Sequence, residues 1–197
     1  MKIIRHIVYT SLVACLLTSC AGKASQGAYE INGTLPSATL YQDEWMYLVP
    51  LTGGSKTNPV DSVQINNGTF RFTGQVDSVQ IKILRVRYQL RMALQELLVV
   101  MEPGQIQVAI DSTSTAQGTP QNEALQQWKE AKDKHDHALS ILMRMEAAKP
   151  DSTNLAKLED LKKTHTQQFT DFNTAFVKEH KGTVVGQFVA SLTGIKL

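Results

Sequence analysis

The sequence predicts an α+β protein, with an antiparallel β-sandwich of about seven strands followed by an antiparallel helical hairpin and a short C-terminal helix. From residue 28 to residue 110, short segments alternate apolar with polar residues and are separated by Gly, Asn and Pro, which is typical of strands and turns. After Ala116 the apolar residues recur every three or four positions, as on one face of an α-helix. We therefore expect a sandwich over residues 28–115, and a helical hairpin and C-terminal tail over 116–197 packed on it.

The strongest hairpin signal surrounds Asn67-Gly68. Both residues tolerate the positive φ angles of a type I′ turn, and alternating strands flank them. A two-residue turn there would pair Ile65 with Phe70 and Val63 with Phe72, so that all four side chains face the core. Further strands are expected at residues 29–33, 45–51, 79–83, 97–101 and 106–110, with Pro103-Gly104 forming a turn before the last of them.

Two long amphipathic helices follow. Thr119 as N-cap and Pro120 at the first position predict the start of the first helix, and Lys149-Pro150-Asp151 separates it from the second. Gly182 ends the second helix, and an apolar piece at 184–192 follows. A helix of about 28 residues is about 42 Å long, more than a sandwich of this size covers, so part of the hairpin should project. The methionines Met92, Met101, Met143 and Met145 are expected to fill gaps in the core.

The N-terminus has the layout of an export signal. Lys2 and Arg5 precede an uncharged, largely apolar run at residues 7–17. Leu17-Thr18-Ser19-Cys20 resembles a lipobox, which implies that the signal at 1–19 is cut off, that Cys20 carries lipid, and that residues 20–27 form a tether. The alternative is an ordinary secretory signal with a chance cysteine. The lipobox predicts a protein anchored in the cell envelope, at the outer membrane and on its periplasmic side.

Charge and cysteine content restrict the function of the mature chain. Removal of Lys2 and Arg5 lowers Lys+Arg from 20 to 18, equal to the 18 Asp+Glu. A neutral protein gives no electrostatic reason to expect nucleic-acid binding. Cys15 leaves with the signal and Cys20 is used for lipid, so no thiol, disulfide or cysteine metal site is expected, and no cofactor.

The order of the motifs resembles a known family. Tyr29-Glu30-Ile31-Asn32-Gly33-Thr34, the segment 60–70, Leu98 to Gly104 and Gly118 to Asn122 are similar to an uncharacterised N-terminal domain of Bacteroides-type lipoproteins. That domain of unknown function usually precedes a thioredoxin-like domain in thiol–disulfide interchange proteins. The resemblance implies a β-sandwich followed by helices, and no known catalytic residue. The thioredoxin-like domain with its CxxC pair would begin where this sequence ends, so oxidoreductase activity is not carried over.

Three groups of residues are candidate sites. A stretch without acidic residues carries Lys82, Arg85, Arg87 and Arg91, and could meet an anionic ligand or a partner, or could be an ordinary solvated face. Asp-Ser pairs place Ser62, Ser78, Ser112 and Ser152 in tripeptides that resemble an O-glycosylation sequon of Bacteroides-type bacteria. Asp-Ser pairs are also common in turns and at helix N-termini, and Asp151 or Ser152 is expected to cap the second helix. His135 and His137 are two apart on a helix, so they cannot share one metal ion, and no metal site is predicted.

No constellation of residues predicts catalysis. The mature histidines all lie in the helical part, and no glycine-rich phosphate loop follows a strand. We therefore expect a non-enzymatic accessory lipoprotein that contacts an envelope protein or glycan through the hairpin or the Arg85/Arg87 face. The alternatives are a glycan- or peptide-binding module with a cleft between sheet and helices, and a docking partner of a separate thioredoxin-like lipoprotein.

Overall fold

The computed structural model describes residues 27–37, 39, 41–52, 59–86 and 97–197. The strands are β1 Gly27–Thr34, β2 Trp45–Pro50, β3 Asp61–Gln64, β4 Thr69–Val76, β5 Gln80–Arg85, β6 Leu97–Met101, β7 Gly104–Ala109 and β8 Thr115–Gln117. The helices are α1 Pro120–Ala147, α2 Ser152–Glu179 and α3 Val184–Thr193. Strand β8 was not predicted, since three residues are too few to show an alternating pattern.

The strands form two four-stranded sheets. Sheet A has the order β4-β1-β7-β8, and sheet B has the order β3-β2-β5-β6. All pairs are antiparallel except β1 and β7, which run parallel at the centre of sheet A. The predicted α+β class is confirmed, with one parallel pair that the sequence did not indicate.

The Asn67-Gly68 turn forms, but the strands beside it separate. Asn67 and Gly68 have φ angles of 51° and 69°, and Asn66 and Thr69 exchange two backbone hydrogen bonds of 3.0 Å each. Beyond this bridge, β3 pairs with β2 in sheet B and β4 pairs with β1 in sheet A. The predicted pairing of Ile65 with Phe70 and Val63 with Phe72 is therefore wrong.

The predicted faces of these four residues are nonetheless correct. Ile65, Phe70 and Phe72 are buried in the core between the sheets, and Val63 packs against it. A period-two pattern indicates which face of a strand is buried, but it does not indicate which strand lies next to it in the sheet. The turn thus carries the chain from one sheet to the other.

The molecule has three layers: sheet A, sheet B and the helices. One apolar cluster fills the space between the sheets, with Ile31, Phe72, Leu84, Leu97 and Ile106 almost completely buried. A second cluster lies on the outer face of sheet B, where Ile81 and Val100 meet side chains of all three helices. No helix in the described part of the chain is long and apolar enough to cross a membrane.

The helix boundaries follow the predicted signals. Thr119 is the N-cap of α1 with Pro120 next to it, and Asp151 caps α2 by accepting a hydrogen bond of 2.9 Å from the backbone N–H of Asn154. Thr183 caps α3 in the same way, at 3.0 Å from the N–H of Gly186. The side chains of Asp151 and Thr183 satisfy N–H groups that have no partner within the helix, whereas the Thr119 side chain makes no such cap hydrogen bond.

Candidate functional site

The base of the hairpin is bound to sheet B by buried polar groups. Glu102, at the end of β6, accepts hydrogen bonds from the N–H groups of Gln121 at 2.7 Å and Asn122 at 3.2 Å. A carboxylate at a helix N-terminus is stabilised by the unpaired N–H groups and by the helix dipole. The amide of Asn122 donates to the carbonyl of Val100 and accepts from its N–H, at 2.8 and 2.9 Å, as a neighbouring strand would.

The same base region holds the other two helices. Gln121 Oε1 accepts from the N–H of Val184 at 3.0 Å and so fixes the start of α3. Trp128 Nε1 donates to Asn173 Oδ1 of α2 at 2.9 Å, and both residues are buried. Two of the motifs behind the family resemblance, around Glu102 and from Thr119 to Asn122, are thus used for assembly of the layers.

The distal half of the hairpin has few buried side chains. In α1 and α2 the buried residues are confined to 122–128 and 173–177, except Leu142 and Leu158. Beyond the base, an ion pair of 2.8 Å joins Lys162 to Glu146, with both side chains partly exposed. The predicted projection follows from helix length: Leu142 lies 14 residues, or about 21 Å, along α1 from Trp128.

Four exposed apolar side chains lie near the end of the hairpin. They are Ile141, Met143 and Met145 of α1 and Leu161 of α2, exposed by 40%, 62%, 52% and 46%. Ile141 and Met145 are four residues apart and share one side of α1, and we call these two side chains and Leu161 the tip surface. Met143 is two residues from each of them and points to the other side of the helix. Leu161 is beside Lys162, whose ion pair with Glu146 places it at the level of Met145. The prediction that methionines fill the core holds for Met101, is wrong for the two at the tip, and for Met92 lies outside the described residues.

The two helices bring together histidines that the sequence did not connect. His135 stacks on Phe169, with ring centroids 4.3 Å apart, and its Nδ1 is buried without a hydrogen-bond partner. His135 and His165 line one groove of about 270 Å³ between α1 and α2, while His137 is exposed. Within the described part of the chain, no three His, Cys, Asp or Glu side chains are grouped as metal ligands.

The structure does not place the basic candidates on one exposed face. Lys82 and Arg85 are three apart on β5, so they lie on opposite faces of the strand. Arg85 is only 7% exposed, and partial burial lowers the pKa of the Lys82 ammonium. Arg87 and Arg91 lie outside the described residues.

The remaining predicted sites are at the surface or outside the described part. Ser62, Ser78, Ser112 and Ser152 are all exposed, so each hydroxyl can be reached. Cys20 and the signal lie outside the described residues. The cleft expected between sheet and helices is occupied by the second apolar cluster, in which Trp128, Val185 and Val189 are at most 4% exposed.

The outer face of sheet A is polar, and none of the helices in the described part of the chain covers it. In register, Arg71 of β4, Asn32 of β1, Gln107 of β7 and Gln117 of β8 form one row across all four strands. An open groove of about 760 Å³ runs along this row. The alternating patterns around Phe70 and Phe72 and around Ile106 and Val108 imply outward positions for Arg71 and Gln107, but the row appears only when β8 and the sheet order are known.

The fold and these surfaces define a three-layer α+β protein without a recognisable catalytic centre among its described residues. Residues 29–125 match a family model described as a domain of unknown function, DUF4369, which spans the sandwich and the first turn of α1. The sandwich is therefore similar to that family. Comparisons with curated proteins and with solved structures give no match.

Proposed function

We propose that this protein is a lipid-anchored accessory protein of the cell envelope that contacts another envelope protein through the distal half of its helical hairpin. The observation that carries the proposal is the tip surface, where three large apolar side chains remain 40–52% exposed. Large exposed apolar groups grouped in one place are typical of a contact surface, whereas single ones are common on any protein.

The arrangement of the hairpin supports this proposal. Among the described residues, the buried polar contacts that hold α1 to sheet B are at the base, around Glu102 and Asn122. The buried hydrogen bond of Trp128 to Asn173 joins α1 to α2 in the same region. The distal turns add little to the core, yet they extend the apolar surface away from the body. A rigid arm of this kind would place a contact surface at a distance from the membrane anchor.

The anchor itself is the lipobox ending at Cys20. Lipid on this cysteine would hold the protein in the membrane, and each buried CH₂ contributes about 0.8 kcal/mol to the anchoring. Palmitate labelling of the wild type and of Cys20→Ala tests this part separately. We expect labelling of the wild type alone, and equal labelling of both would remove the anchor from the proposal.

A thioredoxin-like lipoprotein is the partner class that the family resemblance favours. Domains of this kind usually precede a thioredoxin-like domain, so a separate protein with that domain could be held in the same position by docking. The matched family model at residues 29–125 is consistent with the resemblance and carries no function of its own.

Site-specific crosslinking in native membranes tests the proposal. A photo-reactive amino acid is placed at Met145 in one strain and, as a matched control, at the exposed Gln75 on β4 in another. We expect one discrete crosslinked species from position 145, and none from position 75. The absence of an adduct at position 145, or the same adduct from both positions, would contradict contact through the hairpin.

A further inference from the structure

We propose that the outer face of sheet A is a binding site for a neutral oligosaccharide, independent of the hairpin contact. The site consists of the row Arg71, Asn32, Gln107 and Gln117 and the groove beside it. Neighbouring strands are 4.7–4.9 Å apart, so four residues in register extend over about 14 Å. A second row in register, Thr69, Thr34, Ala109 and Thr115, lines the same groove.

The lining of the groove has the hydrogen-bonding chemistry of a sugar site. Five amide side chains line it: Asn32, Gln64, Asn66, Gln107 and Gln117. An amide offers both donors and acceptors, and a sugar hydroxyl likewise donates one hydrogen bond and accepts others. Three threonines add hydroxyl groups of the same type.

The two glutamines of the row have unused hydrogen-bonding capacity. Gln107 and Gln117 are exposed, and their amides form no hydrogen bond to any residue that the structure describes. Asn32, in contrast, donates to Glu30 at 2.9 Å. A ligand that crosses β7 and β8 would therefore meet two free amides side by side, without breaking an existing contact.

The charge of the face favours a neutral ligand. Arg71 is the one charged residue among those described as lining the groove, and it forms an ion pair of 2.9 Å with Glu30. Hydrogen bonds from Asn32 and Arg71 hold the pKa of the Glu30 carboxyl below its usual range, so the pair stays ionised and balanced near neutral pH. An anionic glycan would gain no net attraction here.

The backbone of the face argues against a peptide strand as the ligand. The central strands β1 and β7 are paired on both sides, so their N–H and C=O groups are used within the sheet. Peptides that bind sheets add to a free edge and place side chains in pockets. The middle of sheet A offers only side-chain amides and hydroxyls, which suit a ligand that carries many hydroxyls itself.

Binding to a glycan array tests the proposal with the purified full chain in detergent. The neutral probes are linear β-glucan, α-mannan, xylan and chitin oligosaccharides, and polygalacturonate is the anionic probe. The variant Gln107→Ala/Gln117→Ala removes both free amides. Gln167→Ala/Gln187→Ala removes two exposed glutamines from α2 and α3 and is the matched control.

We expect saturable binding to at least one neutral probe, weakened at least tenfold in Gln107→Ala/Gln117→Ala and unchanged in the control. An unfolding midpoint temperature equal to that of the wild type would show that both variants are folded. Binding to no neutral probe, preference for polygalacturonate, or equal binding by both variants would overturn the proposal. The Met145 crosslink does not depend on these glutamines, so the two proposals can fail separately.

Discussion

The base and the distal half of the helical hairpin have the same helical structure but differ in what surrounds them. At the base, Asn122, Trp128 and Asn173 are at most 4% exposed and hydrogen-bonded. At the tip, Met143 and Met145 are more than half exposed. Helical stability comes mostly from packing of the apolar face, so the base should determine whether the hairpin stays folded on the sheet. The exposed side chains at the tip are then available to bind the proposed partner protein.

The largest expected effect is at Trp128. Trp128→Ala removes a buried indole and leaves Asn173 Oδ1 without its donor, so we expect a loss of about 3–5 kcal/mol in the free energy of unfolding. Met143→Ala, on the same helix and 62% exposed, is the control and should change it by less than about 0.5 kcal/mol. Denaturant titration measures both. Similar losses in the two variants would remove the distinction between base and tip.

The next effect concerns the helix N-terminus. Glu102→Gln keeps the size of the side chain and removes its charge, so the N–H groups of Gln121 and Asn122 lose a charged acceptor. We expect a loss of about 1–3 kcal/mol by denaturant titration, the range for hydrogen bonds to a charged group. Glu159→Gln, at an exposed position of α2, is the matched control and should be neutral. An unchanged stability of Glu102→Gln would contradict the role of this carboxylate.

These contacts mark the limit of what the sequence could predict. The helices could be predicted from the apolar periodicity and from the cap residues Thr119 and Asp151, because both signals are local in the sequence. The contact of Glu102 with α1 was not predictable, since it joins residues about 20 apart whose approach depends on how the layers stack. For the same reason the exposure of Met143 was missed: an apolar residue on a helix does not show whether anything lies opposite it.

The sheets show the same limit. Each strand except the short β8 was predicted from local patterns, such as the alternation in β4 and the continuous apolar run of β6. The parallel pair of β1 and β7 and the separation of β3 from β4 depend on long-range partners. The candidate site on sheet A is formed by four strands from different parts of the chain. Only the register places Gln107 beside Gln117 and Asn32.

A smaller and pH-dependent effect is expected at Asp111, in the loop between β7 and β8. Hydrogen bonds from the backbone N–H groups of Ser114 and Thr113 hold the pKa of this carboxyl below its usual range. The ionised form therefore stabilises the fold above the usual aspartate pKa, and this stabilisation is lost as the pH falls through the lowered folded-state value. Ser114 in turn accepts a hydrogen bond of 2.7 Å from Lys129 of α1.

The variant Asp111→Asn tests this direction of the pH dependence of stability. The variant should be less stable than the wild type near neutral pH, by less than Glu102→Gln, and the difference should disappear in strong acid. Thermal unfolding at a series of pH values measures it. A difference that grows as the pH falls would show that the carboxylate does not act in this way.

At the tip we expect almost no effect on stability and a large effect on contact. Met145→Ser should leave the free energy of unfolding within about 0.5 kcal/mol of the wild type, because this side chain is 52% exposed. A crosslink from a photo-reactive residue at the neighbouring position 141 should be lost in this variant. A retained crosslink would mean that the apolar tip does not form the contact.

The smallest structural effect is expected from modification of the exposed serines Ser62, Ser78, Ser112 and Ser152. Glycans at these positions would project into solvent and leave the fold unchanged. Intact-mass spectrometry of the mature protein should show a mass above that of the bare lipoprotein, and Ser→Ala substitution should lower it stepwise. A mass equal to that of the bare lipoprotein would contradict glycosylation.

Hydrogen–deuterium exchange along α1 and α2 tests the difference between base and tip most directly, because exchange reports local opening residue by residue. We expect amides at 122–128 and 173–177 to exchange at least tenfold more slowly than those at 138–147 and 155–163, and the distal amides to slow down when the crosslinked partner is bound. Uniform protection along both helices, or protection by the partner at the base alone, would contradict the account.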